Sequence, residues 1–289
     1  GLLSAPRMMW SNFVNFFANI RALRQVLEMG DSRRVAWDKT THEFPALSAP
    51  ARSPLGQRLI EKGLISEEQL QAAITAPERR RLGRELLVRG LISSEQLVET
   101  LAEQLDLPWA PLDPFRIDPH LIAQLPRKLA MHYGVLPVEE HGKTLVLASE
   151  SPVSQVSLGA IARQLKRPVS CRLAPQGRVT LGLRYHYPSP WQKEETRQML
   201  EVLERRKDDV ALIERVSHHQ VLLGTLLQTR GMVPATLFNQ VMIDFDPEKA
   251  SLGDYLIERG IISEQILKEA LAEQAAEQQA AFNIVREVA

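Results

Sequence analysis

Arginine side chains are concentrated where the third of four helices in a tandem pair of repeats is predicted to begin. Residues 78–84 read E-R-R-R-L-G-R, which places four arginines among six consecutive residues. A guanidinium offers five N–H donors in a planar fork that suits phosphate groups and the edge of guanine. Cations at a helix N-terminus oppose the helix dipole, so folding alone does not favour this arrangement, whereas a phosphate ligand does. The alternative interpretation is a solvated cluster of charges.

Other residue types that often carry catalysis or bind metals form no convincing site. The D-x-D pattern at 244–246 falls between two predicted helical repeats, where a turn or helix cap is typical. Asp208 and Asp209 are predicted on the solvated face of a charged helix. The adjacent His218 and His219 point about 100° apart on a helix and rarely share one metal, so we interpret them as surface or core histidines. The sequence contains neither an H-x-x-x-H pattern nor a Gly-rich phosphate loop, and we expect no metal.

The composition narrows the classes of protein to consider. The chain has 289 residues with 35 basic and 35 acidic side chains, so no global basic excess indicates nucleic-acid binding. Cys171 is the one cysteine, which excludes an internal disulfide or a Cys-rich zinc site and is consistent with a reducing cytoplasm. No apolar run reaches the roughly 18 residues expected of a membrane span. We interpret the chain as part of a longer protein whose catalytic portion lies upstream.

One short pattern occurs four times, arranged as two tandem pairs. The copies are LGQRLIEKGLISEEQL (55–70), LGRELLVRGLISSEQL (82–97), LGTLLQTRGMVPATLF (223–238) and LGDYLIERGIISEQIL (252–267). A repeated unit that cannot bury its apolar face alone is expected to pack against its neighbour. Two such copies form a pseudo-two-fold surface, which suits a ligand that is itself two-fold symmetric.

Each copy of the first pair is predicted to contain two short helices. A glycine ends the first helix, and a serine with a glutamine three residues later forms a capping box for the second. One buried stripe is predicted for each copy. These positions are Gly63, Ser66 and Gln69 with the stripe Leu59, Leu64, Leu70 and Ile74, and Gly90, Ser93 and Gln96 with the stripe Leu86, Leu91, Leu97 and Leu101.

The pattern of elements predicts an α+β fold, predominantly helical, with tandem helical repeat pairs flanking a small mixed α/β domain. A hairpin is expected from strands 135–140 and 144–149, followed by a helix over 153–164, a strand over 168–174 and a closing helix over 176–187. One charged helix is expected around 193–215. The predicted domains are a helix and linker (1–53), the first repeat pair (54–108), the α/β domain (109–190) and the second repeat pair with a C-terminal helix (191–289).

Residues 8–29 are predicted to form an amphipathic helix. Apolar residues including Phe13, Phe17 and Leu27 recur at steps of three or four and share one face. With its aromatic residues and flanking arginines, this face suits either the plane of a membrane interface or a neighbouring domain.

Residues 81–104 resemble a known ligand-binding motif. They keep Arg81-Leu82-Gly83, Leu86, Gly90, Leu97, Leu101 and Gln104 of the 24-residue cyclic di-GMP-binding motif found in tandem in MshE-type N-terminal domains. Residues 109–187 resemble the companion subdomain of that family. The resemblance implies that each motif holds half of the dinucleotide through its Arg, its Gln, its Leu-Gly backbone and its apolar residues.

The other copies depart from the motif at its polar ends. In the first copy, Pro54 and Pro77 stand at the Arg and Gln positions, and Gly56 lies 27 residues before Gly83 where the family uses 29. The second pair keeps the 29-residue spacing and Gln274. Its remaining polar positions are substituted by Leu222, Ser251 and Phe245.

The N-terminal segment is similar to a second family. Residues 2–27, followed by VAWDKTTHEFP at 35–45, resemble the stretch just past the catalytic domain of inner-membrane processive glycosyltransferases. Combined with the repeats, the sequence resembles the cytoplasmic C-terminal region of NfrB-like bacteriophage adsorption proteins. The Q-x-x-R-W acceptor motif of such transferases is absent from this sequence. The resemblance therefore implies a regulatory segment at the cytoplasmic face of the bacterial inner membrane, not the enzyme.

The resemblance implies cyclic di-GMP bound across the first repeat pair, controlling an upstream glycosyltransferase domain involved in exopolysaccharide production and phage adsorption. Arg81 is expected to pair with a guanine or phosphate, and Gln104 with a base edge. Leu55, Leu82, Leu86 and Leu97 are expected to line an apolar shelf. The remaining expected site residues are Gly56, Leu59, Gly63, Leu70, Arg80, Gly83, Gly90 and Leu101. The alternative is a non-catalytic docking adaptor for an envelope or secretion complex, with a degenerate nucleotide site.

Overall fold

The first repeat pair consists of four short helices. A computed structural model describes residues 54–76 and 80–288, so the predicted helix at 8–29 and the linker up to residue 53 lie outside the described residues. The four helices are α1 (Leu55–Glu61), α2 (Glu67–Ile74), α3 (Leu82–Val88) and α4 (Ser94–Leu105).

Both predicted capping boxes are present at the starts of α2 and α4. The Ser66 hydroxyl accepts a hydrogen bond from the Gln69 backbone N–H at 3.2 Å, and the Gln69 side chain accepts one from the Ser66 N–H at 2.8 Å. Ser93 and Gln96 repeat this exchange at 3.1 and 2.8 Å. Gly63 and Gly90 have φ values of +68° and +66°, the left-handed conformation that ends α1 and α3. The helix punctuation predicted from sequence is therefore confirmed.

The two predicted leucine stripes are buried at four positions, partly buried at three and wrong at Ile74, which is 60% exposed. The buried positions are Leu59, Leu70, Leu86 and Leu97, and the partly buried ones are Leu64, Leu91 and Leu101. Ile74 is the last residue of α2, and Thr75 is the C-cap that follows it. In the second copy, α4 continues to Leu105, and Leu101 remains partly buried against the core of the pair. The early end of α2 therefore turns Ile74 toward solvent.

The α/β region contains the predicted hairpin and third strand. The hairpin strands β1 (Val135–His141) and β2 (Thr144–Ser149) are antiparallel, and β3 (Val169–Leu173) pairs parallel to β2. Four helices surround this sheet: α5 (Pro119–Gln124), α6 (Arg127–Tyr133), α7 (Gln155–Leu165) and α8 (Arg178–His186).

The chain passes from α4 directly along the edge of this sheet. Leu173 donates its N–H to the Pro108 carbonyl at 2.8 Å, and Ala110 donates to the Leu173 carbonyl at 3.0 Å. Val98 and Ala102 of α4 pack on Leu173. The first repeat pair is thus attached to the α/β region by both backbone pairing and apolar contact.

The single charged helix predicted over 193–215 is wrong, because the chain forms two helices there. They are α9 (Glu194–Arg205) and α10 (Val210–Ser217). The Asp209 carboxylate accepts a hydrogen bond from the Leu212 N–H at 3.0 Å, so Asp209 caps the second helix instead of lying on a helical face.

The second repeat pair is built from α11 (Leu223–Thr229), α12 (Ala235–Met242), α13 (Leu252–Glu258) and α14 (Glu264–Arg286). The first part of α14 contributes Ala270 to the core of this pair. Its extension contributes Ala281 and Val285 to a separate core shared with α8, α9 and α10. One helix therefore joins the second pair to the rest of the molecule.

All described residues fall within one compact unit. Together they give the predicted α+β fold, in which helices predominate around a small three-stranded mixed sheet. None of the helices in the described part of the chain combines the length and apolar character needed to cross a membrane.

Candidate ligand-binding site

The two copies of the first repeat pair contact each other through equivalent helices, the pattern expected of a pseudo-two-fold arrangement. α1 packs on α4 of the other copy, and α2 packs on α3. A β-carbon placed on Gly56, the second residue of α1, would lie 3.4 Å from Leu82, the first residue of α3. The first turn of α1 and the first residue of α3 therefore lie close together.

Glycine allows the close approach of helices within each copy. A β-carbon on Gly56 would come within 2.7 Å of Leu70, and one on Gly83 within 3.0 Å of Leu97. The Leu-Gly dipeptide at the start of α1 and α3 thus has a packing role. That role does not conflict with a backbone role toward a ligand.

Arg81 occupies the N-cap position of α3 and is exposed. Its side chain makes no capping hydrogen bond and no ion pair with any residue that the structure describes. Partial desolvation lowers the pKa of Arg81 below its ordinary value, although the group remains a cation at neutral pH. Pro54 occupies the N-cap of α1 and likewise provides no side-chain cap. Arg81 is therefore a cation available beside two adjoining helix N-termini.

Arg80, also expected at the site, is bound to two carboxylates. Its Nε donates to Glu277 Oε1 at 2.8 Å, and its Nη1 donates to Glu85 Oε2 at 3.2 Å. Burial by itself lowers the pKa of Arg80, but the hydrogen bonds and charges of Glu277 and Glu85 outweigh it and raise that pKa. The structure thus gives Arg80 an internal partner that the sequence did not indicate.

Arg84, on the first turn of α3, is almost buried. Its Nη2 lies 3.2 Å from Glu277 Oε2, an ion pair that lacks hydrogen-bond geometry. Its Nε has no acceptor among residues 54–76 and 80–288. Burial is the main cause that lowers the pKa of Arg84. This guanidinium is therefore left with unused donors next to the arginine-rich start of α3.

The apolar residues expected at the site divide into a buried and an accessible group. Those in the core of the first repeat pair are Leu59, Leu70, Leu86 and Leu97, whereas Leu55, Leu82 and Leu101 are partly buried at its edge. A ligand that leaves this core intact reaches the second group, and the first group supports it from beneath.

The remaining expected residues also have defined places. A β-carbon on either Gly63 or Gly90 would meet open space, so these glycines serve the backbone conformation and leave room around it. Gln104 lies half-buried on the last turn of α4, where it already has an interaction partner. The roles of all these residues toward a ligand remain predictions.

The second repeat pair uses the corresponding polar positions for its own folding. Ser251, equivalent to Arg81, caps α13 by accepting a hydrogen bond from the Asp254 N–H at 3.2 Å. Gln274, equivalent to Gln104, donates to the Val221 carbonyl at 3.0 Å. The Arg81 side chain makes no such capping bond, so the two pairs differ at the start of their third helix.

One ion pair occurs at equivalent positions in both pairs. Lys62 Nζ lies 2.8 Å from Glu103 Oε2, and Arg230 Nη2 lies 2.7 Å from Glu273 Oε1. The sequence carries a signal for it, because in each pair a basic residue precedes the helix-ending glycine and a Glu precedes the motif glutamine. The repeated contact supports the structural equivalence of the pairs.

The N-terminus of α4 is held by Glu214 of α10. This carboxylate accepts hydrogen bonds from the Ser94 N–H at 2.8 Å, the Ser94 hydroxyl at 2.7 Å and Arg178 at 2.9 Å. His218 Nε2 lies 3.1 Å from Glu214 Oε1, the oxygen that also accepts from the Ser94 N–H. Burial by itself raises the pKa of Glu214, but these hydrogen bonds outweigh it and hold that pKa far below its usual range.

Candidate metal and catalytic residues have structural partners instead. His218 pairs with Glu214, and His219 Nδ1 lies 2.8 Å from Glu277 Oε2. The D-x-D segment lies in a turn, as predicted, where Asp246 accepts a hydrogen bond from the Glu248 N–H. Within the described ranges, no three His, Cys, Asp or Glu side chains are grouped so as to hold a metal ion.

Comparison with known proteins supports two of the resemblances drawn from sequence, those to the MshE-type domain and to bacteriophage adsorption proteins. Residues 105–191 match the MshEN domain family. The chain is 37% identical over 278 residues to bacteriophage adsorption protein B of Escherichia coli (strain K12) and to bacteriophage N4 adsorption protein B of Escherichia coli O157:H7. These alignments cover 94% of this chain but only 37% of each relative.

Two solved structures are also similar. A structure of MshE with cdg is 33% identical, with a TM-score of 0.37, and covers 47% of this chain and 100% of that chain. The N-terminal domain of XpsE is 19% identical, with a TM-score of 0.33, and covers 45% of this chain and 91% of that chain. Residues 105–191 thus match the MshEN domain family, in a chain that is similar over nearly all of its length to part of bacteriophage adsorption protein B.

Proposed function

We propose that the first repeat pair binds cyclic di-GMP and that this chain is a regulatory module without catalytic chemistry of its own. The observation that carries the proposal is Arg81, an exposed cation with no described side-chain partner at the adjoining N-termini of α1 and α3. Cyclic di-GMP carries two guanines and two phosphates about a two-fold axis. Its symmetry matches that of the helix pair, and its phosphates match the guanidinium and the helix N-termini.

The MshEN match supports the proposal from an independent direction. It begins at residue 105, directly after the 24 residues at 81–104 that resemble the ligand motif of this domain type. The partly buried Leu55, Leu82 and Leu101 provide apolar surface for a base beside Arg81.

The regulated partner in this proposal is a glycosyltransferase domain in the same protein, upstream of this chain. The support is the resemblance of residues 2–27 to the segment that follows such a domain, together with the similarity to bacteriophage adsorption protein B. We place the module at the cytoplasmic face of the inner membrane, with a role in exopolysaccharide production and phage adsorption. Ligand binding would act by favouring one of two docked arrangements of module and enzyme.

Isothermal titration calorimetry with cyclic di-GMP tests the binding proposal. Loss of a charge-assisted hydrogen bond costs about 1.5–3 kcal/mol, so we expect Arg81→Ala to bind about 10- to 150-fold more weakly than the parent chain. Arg205→Ala is the matched control, because Arg205 is also an exposed arginine but lies on α9. Absence of heat from the parent at tens of micromolar ligand, or equal affinity of Arg81→Ala, contradicts the proposal.

A docking adaptor is the second candidate function. It is favoured by the internal use of polar positions, since Arg80 binds Glu277 and Gln274 binds the Val221 carbonyl. An adaptor retains its partner without nucleotide. Capture of the upstream glycosyltransferase region by this chain, equal with and without cyclic di-GMP and unchanged in Arg81→Ala, would favour the adaptor.

A further inference from the structure

Glu277 is a buried carboxylate in the middle of α14 that receives three basic side chains. Only 5% of its surface is exposed, and it contacts Arg80, Arg84 and His219 at 2.8, 3.2 and 2.8 Å. Two of these partners belong to the start of α3 in the first repeat pair. The third, His219, follows α10.

Glu277 lies on α14 between two segments that pack in different hydrophobic cores. Upstream of it, Ala270 packs in the core of the second repeat pair, and downstream Ala281 packs against α9 and α10. Glu277 is therefore the point at which this connecting helix meets the proposed ligand-binding pair. A change in the partners of Glu277 acts on a helix that two other cores share.

The arginines at the start of α3 have more donors than the acceptors that contact them. Arg80 and Arg84 share Glu277, Arg80 also pairs with Glu85, and Glu85 is shared with Arg89 at 2.6 Å. Arg84 keeps buried donors without an acceptor, and Arg81 has no described partner. The arrangement leaves capacity for one more anion beside those that the fold already provides.

Arg84 follows Arg81 by three residues, and residues three apart are neighbours on a helix surface, so an anion bound by Arg81 lies close to Arg84. Arg84 in turn shares Glu277 with Arg80. Phosphate and carboxylate are both strong bidentate acceptors for arginine. A phosphate ligand and Glu277 therefore compete for the same guanidinium N–H donors. A buried carboxylate that loses its cationic partners is strongly destabilised, which loosens the helix that carries it.

We propose, on the basis of the proposed function, that Glu277 competes with the anionic ligand for Arg80 and Arg84, so that occupancy of the first repeat pair releases α14 from α3. Coupling of this kind is reciprocal. The bound ligand weakens the contact of Glu277 with Arg80 and Arg84, and that contact lowers the affinity for the ligand by the same factor. The second repeat pair and α10 then sense the ligand through a helix that does not touch it.

The test compares Glu277→Gln with Glu269→Gln by calorimetry with cyclic di-GMP. Glutamine keeps the shape of glutamate but removes its charge, so we expect Glu277→Gln to bind about five- to tenfold more tightly than the parent. Glu269→Gln is the matched control, because Glu269 is an exposed glutamate earlier on α14 whose carboxylate accepts a hydrogen bond from Gln265 at 2.8 Å. Its affinity is expected to equal that of the parent.

Hydrogen exchange of the parent chain is the second readout, and it does not depend on the variant folding. We expect cyclic di-GMP to accelerate amide exchange in peptides covering 272–286. A parent that binds ligand while Glu277→Gln shows unchanged affinity, or while exchange in 272–286 stays the same or slows, overturns the competition and leaves the proposed function standing. A parent that binds no cyclic di-GMP overturns both.

Discussion

Gly177 is the position at which the structure makes its sharpest prediction about stability. It has φ of +80° at the N-cap of α8, and a β-carbon there would come within 2.6 Å of the carbonyl carbon and 2.9 Å of the α-carbon of Ser217. The left-handed conformation costs a non-glycine residue about 1 kcal/mol. Displacing the main chain at the end of α10 adds about 1–3 kcal/mol. We therefore expect Gly177→Ala to lower the free energy of unfolding by about 2–4 kcal/mol.

Urea denaturation followed by circular dichroism measures this loss, with Gly142→Ala as the control. Gly142 has φ of +59° in the turn between β1 and β2, and a β-carbon there meets nothing within 4 Å. The control isolates the conformational cost of about 1 kcal/mol. Equal losses in the two variants would show that α8 does not approach α10 as closely as described, and would refute the reasoning.

Three further predictions concern the ionic contacts and caps around the site. Burial alone raises the pKa of Glu277, but hydrogen bonds from His219 and Arg80 and the charge of Arg84 outweigh it and hold the pKa at about 2. The stabilisation, on the order of 3 kcal/mol, is full above the unfolded pKa of about 4.3 and is lost as the pH falls from about 4 to 2. An acid titration of stability should show this loss in the parent and not in Glu277→Gln. Glu214→Ala leaves Arg178 and Ser94 without their acceptor and should cost about 3–5 kcal/mol in urea denaturation, whereas a loss below 1 kcal/mol would contradict the described contact. Ser93→Ala removes one capping hydrogen bond and should cost about 1 kcal/mol by the same assay, and no measurable loss would argue against the capping box.

Features decided within a few residues were predictable from sequence. The serine–glutamine boxes, the helix-ending glycines and the hairpin at 135–149 each depend on neighbouring residues whose conformational preferences act locally. The order of elements in the α/β region follows from the same local signals. The exposure of Ile74 was missed because it depends on where α2 ends, which the repeat pattern leaves open.

Features decided by packing between distant segments were not predictable. Arg80 and Glu277 are separated by 197 positions in the chain, and Ser94 and Glu214 by 120. Nothing near Arg80 distinguishes an arginine that binds a ligand from one that binds a buried carboxylate. The sequence was enough to place the candidate site at the start of α3. Only the fold shows that Arg80 and Arg84 contact Glu277 while Arg81 is exposed.

The two repeat pairs show how one scaffold can be kept for folding and changed for function. Both retain the close glycine–apolar contacts of their first and third helices, at Gly56 and Gly83 in one and at Gly224 and Gly253 in the other. These contacts fix the helix geometry and leave the N-cap residue free to vary. Where the N-cap is Ser251, it satisfies its own helix; where it is Arg81, the helix receives no side-chain cap and the guanidinium stays exposed. Because an arginine there provides no cap of the kind that serine provides, its presence at position 81 supports the proposal that the first repeat pair binds an anion.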